Sequence, residues 1–200
     1  MSAKSGPEHR VTVTGRLVET PRLLLRPWES RDVDAALEIY GDPHVSQWLT
    51  PAMDRITDAA AMAETLSRWI EEDARTTVPM GRWAVEVRST GELVGGAAVL
   101  PLPSYNVDLE VAWQLAPRAW GKGYAAEAGH AATHYAFCGG ADELFAVVRP
   151  RNERGAATAK RVGMEWVGET DKYYGLRLQV YRVRKSDLDP SDPAHPEARP

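Results

Sequence analysis

The 200 residues include one cysteine, Cys138, so no disulfide can form within the chain and packing alone must hold the fold. Long apolar runs are missing too. Even residues 93–102 are short and contain two glycines, well under the roughly 18 apolar residues of a membrane helix. The N-terminus has no apolar core of the kind a secretory signal needs, which predicts a cytoplasmic protein with no membrane partner. Neither sign of charge dominates: 24 Lys and Arg against 28 Asp and Glu leave −4, without the broad basic face that nucleic-acid binding uses. Phenylalanine is scarce at two residues, so seven tryptophans and seven tyrosines carry the aromatic volume. There is no internal repeat.

What is present describes an ordinary globular domain. Hydrophobic residues make up 44% and charged residues 26% of a chain long enough for one substantial core. Residues 1–19 are weakly patterned and residues 186–200 carry four prolines, so both ends are expected to be flexible, with one folded domain over 20–185. Within it, 22–28 reads as a strand and Ser30 as the N-cap of a helix bearing Val33, Ala36, Leu37 and Tyr40. A second helix starts near Thr57, with Met62, Leu66, Trp69 and Ile70 inward and Glu71, Glu72 and Asp73 outward. Strands over 83–87, 93–100 and 107–115 form an antiparallel meander turned at Thr90-Gly91. A helix over 122–138, closed by Gly139-Gly140, leads to strand 144–148, which the crossover rule makes parallel to 107–115. A helix over 153–162 and strands at 165–167 and 176–183 complete the pattern. The last strand reads as an exposed edge whose Arg177, Gln179 and Arg182 could guard it or let it meet a copy, so monomer and homodimer both stay open.

The most informative stretch is Arg118-Ala119-Trp120-Gly121-Lys122-Gly123-Tyr124-Ala125, between a strand and an alanine-rich helix. Its two glycines let the backbone turn tightly, and the helix that follows aims the positive end of its dipole at the same point. A phosphate or another anionic group suits such a place. Asn152 similarly opens a helix after a strand. The strand order and Pro117 argue against a dinucleotide-binding unit, which needs a simple strand-loop-helix and a later acidic ribose ligand.

Strand, glycine loop, helix, strand and Asn-helix in this order resemble the GNAT superfamily of N-acetyltransferases over about residues 20–185, most closely the branch that acetylates ribosomal-protein N-termini. Three stretches carry the resemblance: Arg118 to Gly123 with the wider run to Ala128, Asn152 with Gly155 and Gly163-Met164, and the opening 19–28. It implies an α+β (α/β/α) fold, with a mixed, mostly antiparallel sheet of about seven strands flanked by helices and splayed between the fourth and fifth strands. It further implies transfer of acetyl from acetyl-coenzyme A, the only cofactor expected, to an amine that is either a protein N-terminus or a small molecule. No metal is implied. A non-catalytic coenzyme A-binding module is the alternative.

The same resemblance implies the site residues. Backbone amides of Arg118, Trp120, Gly121, Lys122, Gly123, Tyr124 and Ala125 would bind the pyrophosphate, and Trp113, Gln114 and Leu115 would pair with the pantetheine arm. Asn152 would reach that arm or simply cap its helix, and Lys160 would approach the adenosine phosphates, with Arg161 favoured only by the helix dipole. Glu110 matches the family's catalytic acidic position, with Asp108 in reserve, although strand periodicity alone makes either a solvent-facing residue. Gly155 and Ala159 stand where relatives carry proton donors, leaving Thr158, Tyr173, Tyr174 or water for that task. Trp28 and Trp48 would lie near the acceptor pocket, while the tryptophans at 69, 83 and 166 read as core. His130 and His134 share a helix face but lack a third ligand, so they read as solvated, and Cys138 reads as packing.

Overall fold

Residues 10–49, 51–103 and 108–187 are described by a computed structural model, in which one nine-stranded sheet organises the chain. Across the sheet run β1 (Thr12–Thr14), β2 (Leu17–Glu19), β3 (Leu23–Arg26), β4 (Gly81–Val87), β5 (Glu92–Pro101), β6 (Leu109–Leu115), β7 (Glu143–Val148), β9 (Leu178–Arg184) and β8 (Glu165–Thr170). All neighbours are antiparallel except β6 and β7, whose parallel register consists of the single pair Glu110↔Phe145. The expected splay is therefore present between the fourth and fifth of the seven anticipated strands. The two extra strands, β1 and β2, come from the segment read as flexible; three residues each is too short for an alternation signal.

The two larger of three apolar clusters among the described residues form because the register sorts side chains by face; the third is small, around Leu102, Tyr173 and Leu178. Trp83, Ala97, Val99 and Val111 pack against the alanines and Tyr135 of α4 (Tyr124–Cys138). Small α4 side chains let the helix lie close to the sheet, and Trp83 meets Tyr135 edge-on at 4.8 Å. On the opposite face Ala84 joins Trp28, just past β3, with Ala36, Ile39 and Tyr40 of α1 (Val33–Tyr40) and Met62 and Leu66 of α3 (Ala59–Arg75). A short α2 (Pro43–Ser46) follows α1, and α5 (Glu153–Val162) packs beside α4. Among the described residues no helix is long and apolar enough to cross a membrane.

Several local expectations are corrected. Ser30 is not an N-cap: it lies inside a 3-10 turn that begins after Glu29, whose N–H donates to Asp32 Oδ2 at 2.9 Å. Asp73 does not face outward. Its Oδ1 accepts from Arg82 N–H at 3.0 Å and Arg16 Nη2 at 2.5 Å, because the end of α3 leans on β4, and burial raises its pKa. Strand β9 is interior, between β7 and β8, so the sheet edges are β1 and β8. Trp166, on edge strand β8, is 56% exposed and not core.

Candidate active site

Past Glu110 the strands β6 and β7 separate, and two cavities open where they part. The larger, about 1220 Å³, is lined by Trp28, Tyr40 and Trp69 on one side and by Glu110, Gln114 and Tyr174 on another. The smaller, about 790 Å³, is a groove between the glycine loop and α5. Trp48, Trp113, Gln114 and Gly155 line both, so the cavities meet at the C-terminal end of β6.

The groove is shaped by backbone that only glycine adopts easily. Gly121 has φ +76° and Gly123 φ +80°, in the left-handed region. A Cβ at Gly121 would meet nothing within 4 Å, so the requirement there is torsional and not steric. Gly123 is the N-cap of α4 and supplies no side-chain acceptor; the helix's first bond runs from Glu127 N–H to Gly123 O at 3.1 Å. The opening turn of α4 thus faces the groove without a side-chain cap, a natural anion site.

Behind the loop lies a buried clamp. Glu127 accepts from the Thr20 hydroxyl at 2.6 Å, Arg22 N–H at 3.0 Å and Arg22 Nε at 2.6 Å. Arg22 in turn donates through Nη1 to the Lys122 carbonyl at 2.9 Å and covers the Tyr124 ring at 4.9 Å. At the other end of the loop, Trp120 Nε1 donates to Leu115 O at 2.8 Å, and Arg154 stacks over the Trp120 ring at 4.2 Å.

Trp113, Gln114, Leu115, Trp120, Gly121, Gly123, Tyr124, Ala125 and Asn152 all line this groove, as does Thr158. Arg118, Lys122 and Lys160 do not. Arg118 is turned to Glu38 and Glu92, at 2.9 Å each, and to the Leu93 carbonyl at 3.1 Å. Lys122 and Lys160 are exposed, and Arg161 rather than Lys160 reaches the groove wall. Asn152 caps α5, its Oδ1 accepting Gly155 N–H at 2.9 Å. A Cβ at position 155 would come within 2.8 Å of Asn152 Nδ2 and 3.1 Å of Val148 Cγ1, so that cap accounts for the glycine. His44, Val45 and Trp48, from α2 and just beyond it, also line the groove. Asp42-Pro43, a cap followed by proline at the first helical position, was the signal for α2.

In the larger cavity Glu110 accepts from the Tyr174 hydroxyl, Oε2 to oxygen at 3.3 Å. Burial raises its carboxyl to about 7, against the opposing hydrogen bonds of Tyr174 and the Val147 backbone. Tyr174 has φ +56°, the one described non-glycine residue in that region, and burial beside Glu110 raises its pKa. Asp108 is held differently. Lys172 Nζ at 2.8 Å and the Tyr173 hydroxyl at 2.5 Å keep its carboxyl ionised and lower its pKa. Glu110 and Asp108, two residues apart on one stretch of chain, thus diverge in opposite directions.

The histidine and cysteine readings change. His134 is buried at 5% exposure, with Cys138 Sγ 3.5 Å from its Nε2, whereas Cys138 is exposed at the helix end. Among the described residues no cluster of His, Cys, Asp and Glu could hold a metal ion.

Comparison with known proteins agrees with this geometry. The N-acetyltransferase YoaA of Bacillus subtilis, itself uncharacterized, is 26% identical over 159 residues, covering 78% of this chain and 87% of that protein. Mycobacterium smegmatis RimJ, solved in complex with CoA-disulfide, superposes with a TM-score of 0.66 at 20% identity over 88% of each chain. AAC(6')-Ib, solved with ribostamycin and coenzyme A, superposes with a TM-score of 0.68 at 15% identity, covering 82% of this chain and 94% of that one. The profile of the acetyltransferase (GNAT) domain matches residues 22–165, and the chain belongs to the GNAT acetyltransferase family.

Proposed function

We propose that the protein is an N-acetyltransferase that moves an acetyl group from acetyl-coenzyme A directly to a primary amine, with no covalent enzyme intermediate. One observation carries the reading. Glu110, raised to about 7, borders a cavity that opens into the loop groove at Trp113 and Gln114. A general base works best when its pKa lies near the working pH. Asp108, locked to Lys172 and Tyr173, is the poorer base.

The groove fits the cosubstrate. The uncapped start of α4 and the left-handed Gly121 and Gly123 suit a pyrophosphate, with Arg154 and Arg161 adding positive charge to the wall. The side of β6 that β7 has left, from Trp113 to Leu115, offers backbone groups to an extended arm as an added strand would use them. Acetyl-coenzyme A, when bound, supplies the activated acetyl thioester. Glu110 accepts the proton of the attacking amine, directly or through water. At pH 7 roughly one-tenth of an unperturbed α-amine is already neutral, against well below a thousandth of a lysine amine, so a carboxylate of this strength matches an α-amine best. Neither Gly155 nor Ala159 has a proton to give, and Tyr173 is committed to Asp108. Tyr174 donates to Glu110 over a longer 3.3 Å, so Thr158 in the groove, Tyr174 once that bond opens, or water is left for the departing sulfur.

The acceptor class is a protein N-terminus or a small amine. The absence of side-chain donors at Gly155 and Ala159 favours one rival, a coenzyme A-binding module without turnover. Calorimetric titration with acetyl-coenzyme A tests the shared requirement. The intact protein is expected to bind in the micromolar range, and Gly121→Val with Gly123→Val to lose that binding; absence of binding to the intact protein would overturn both readings.

A further inference from the structure

The larger cavity carries positive charge that its proton chemistry does not use. Its described lining includes four arginines, Arg68, Arg75, Arg82 and Arg149, against three carboxylates, Asp54, Glu72 and Glu110. Glu72 is engaged with Arg82 at 2.9 Å, and Arg149 donates to the Gln47 carbonyl while keeping its charge. Apart from Glu110 at the far end, Arg68, Arg75 and Arg149 therefore share the cavity with one further carboxylate, Asp54. The chain as a whole has a net charge of −4, so this excess is local and opposite in sign to the molecule.

Placement gives the charge a direction. Arg68 and Arg75 stand seven residues apart on α3, hence on one face two turns apart, with Glu72 between them already paired. The rings of Trp28, Tyr40 and Trp69, 5.1–6.1 Å apart by centroid, form the wall beside them, and Arg82 lies over Trp69 at 5.8 Å. In the sheet register Arg82 lies across from Ala98, and Ala98 from Ala112, with Glu110 two residues further on the same face. Strand spacing and rise put the Cα atoms of Arg82 and Glu110 about 12 Å apart. Because Glu110 and the arginines line one cavity, that span suits a short molecule, with an amine at Glu110 and an anionic group at the arginines.

We infer that the acceptor is an amine bearing a carboxylate several bonds from the reacting nitrogen, the carboxylate held by Arg68 and Arg75 at the mouth that Arg82 borders. Planar guanidinium groups suit carboxylates geometrically as well as electrostatically. Polycationic amines are disfavoured by the same charge. The inference rests on the transferase reading above. Its two sources are peptide N-termini with an acidic residue near the front and small ω-amino acids.

Thiol release with acetyl-coenzyme A tests it on matched acceptors: the amidated peptides Ala-Gly-Glu-Gly, Ala-Gly-Gln-Gly and Ala-Gly-Lys-Gly, together with 5-aminopentanoate, its amide and spermidine. In at least one series the carboxylate member is expected to exceed its neutral partner by about tenfold in kcat/KM, the scale of one charge-assisted contact, and the cation to rank last. The series that shows this separates peptide from small-molecule acceptors. Arg68→Gln with Arg75→Gln should collapse the ratio of acidic to neutral kcat/KM through KM, whereas Arg68→Lys with Arg75→Lys should restore much of it. Turnover with equal rates across charge, or with the cation preferred, would overturn the inference and leave the transferase reading standing. Acetyl-coenzyme A bound without thiol release to any of the six amines would overturn both.

Discussion

The Tyr174 hydroxyl donates to Glu110 Oε2 across 3.3 Å, joining the turn before β9 to the strand pair where the sheet splits. The bond holds the carboxylate toward the cavity and opposes the rise in pKa that burial causes. Tyr174→Phe should therefore raise the Glu110 pKa further and move the acidic limb of the kcat/KM profile upward by roughly 0.5–1 in pH, the scale of one hydrogen bond. An unmoved limb would separate Tyr174 from the base.

Stability should carry the same signature. Glu110 titrates near 7 in the folded protein and near 4.5 as an ordinary glutamate, so its neutral form is favoured by folding. That contribution is complete below about pH 4.5 and is lost as pH rises through 7. The wild type should lose denaturant resistance across this window relative to Glu110→Gln, in which the group cannot ionise. Parallel pH–stability curves for the two proteins would contradict it.

Glu127 lies behind the glycine loop, 4% exposed, and holds Thr20 and Arg22, while Arg22 holds the Lys122 carbonyl. Glu127→Ala removes one side of this ion pair and strands buried donors, so it should cost about 2 kcal/mol or more. A clear fall in melting temperature and weaker coenzyme A binding are expected; Lys122→Ala, which keeps the carbonyl, should keep the melting temperature.

How far the site could be read from sequence depended on what kind of signal each part leaves. The glycine loop was legible because Gly121 and Gly123 are demanded by backbone torsion, which is residue-specific. The meander and the parallel return of β7 followed from alternation and from the crossover rule. β1 and β2 were not legible at three residues each, and α2, four residues long, left only its Asp42-Pro43 start, which reads equally as the stop of α1. Side-chain commitments were also hidden: Arg118 was drawn away by Glu38 and Glu92, two acidic residues far from it in sequence. The opposite environments of Asp108 and Glu110 arise from Lys172, Tyr173 and Tyr174, more than sixty positions along the chain, and no local pattern encodes such partners.

The most direct test is the single-turnover rate of thiol release from bound acetyl-coenzyme A with a saturating acceptor amine, wild type against Glu110→Gln, at pH 7.5. Loss of a general base predicts a fall of roughly 10²–10⁴ with cofactor affinity retained. A rate in the variant equal to that of the wild type would contradict the assignment of Glu110 as the base.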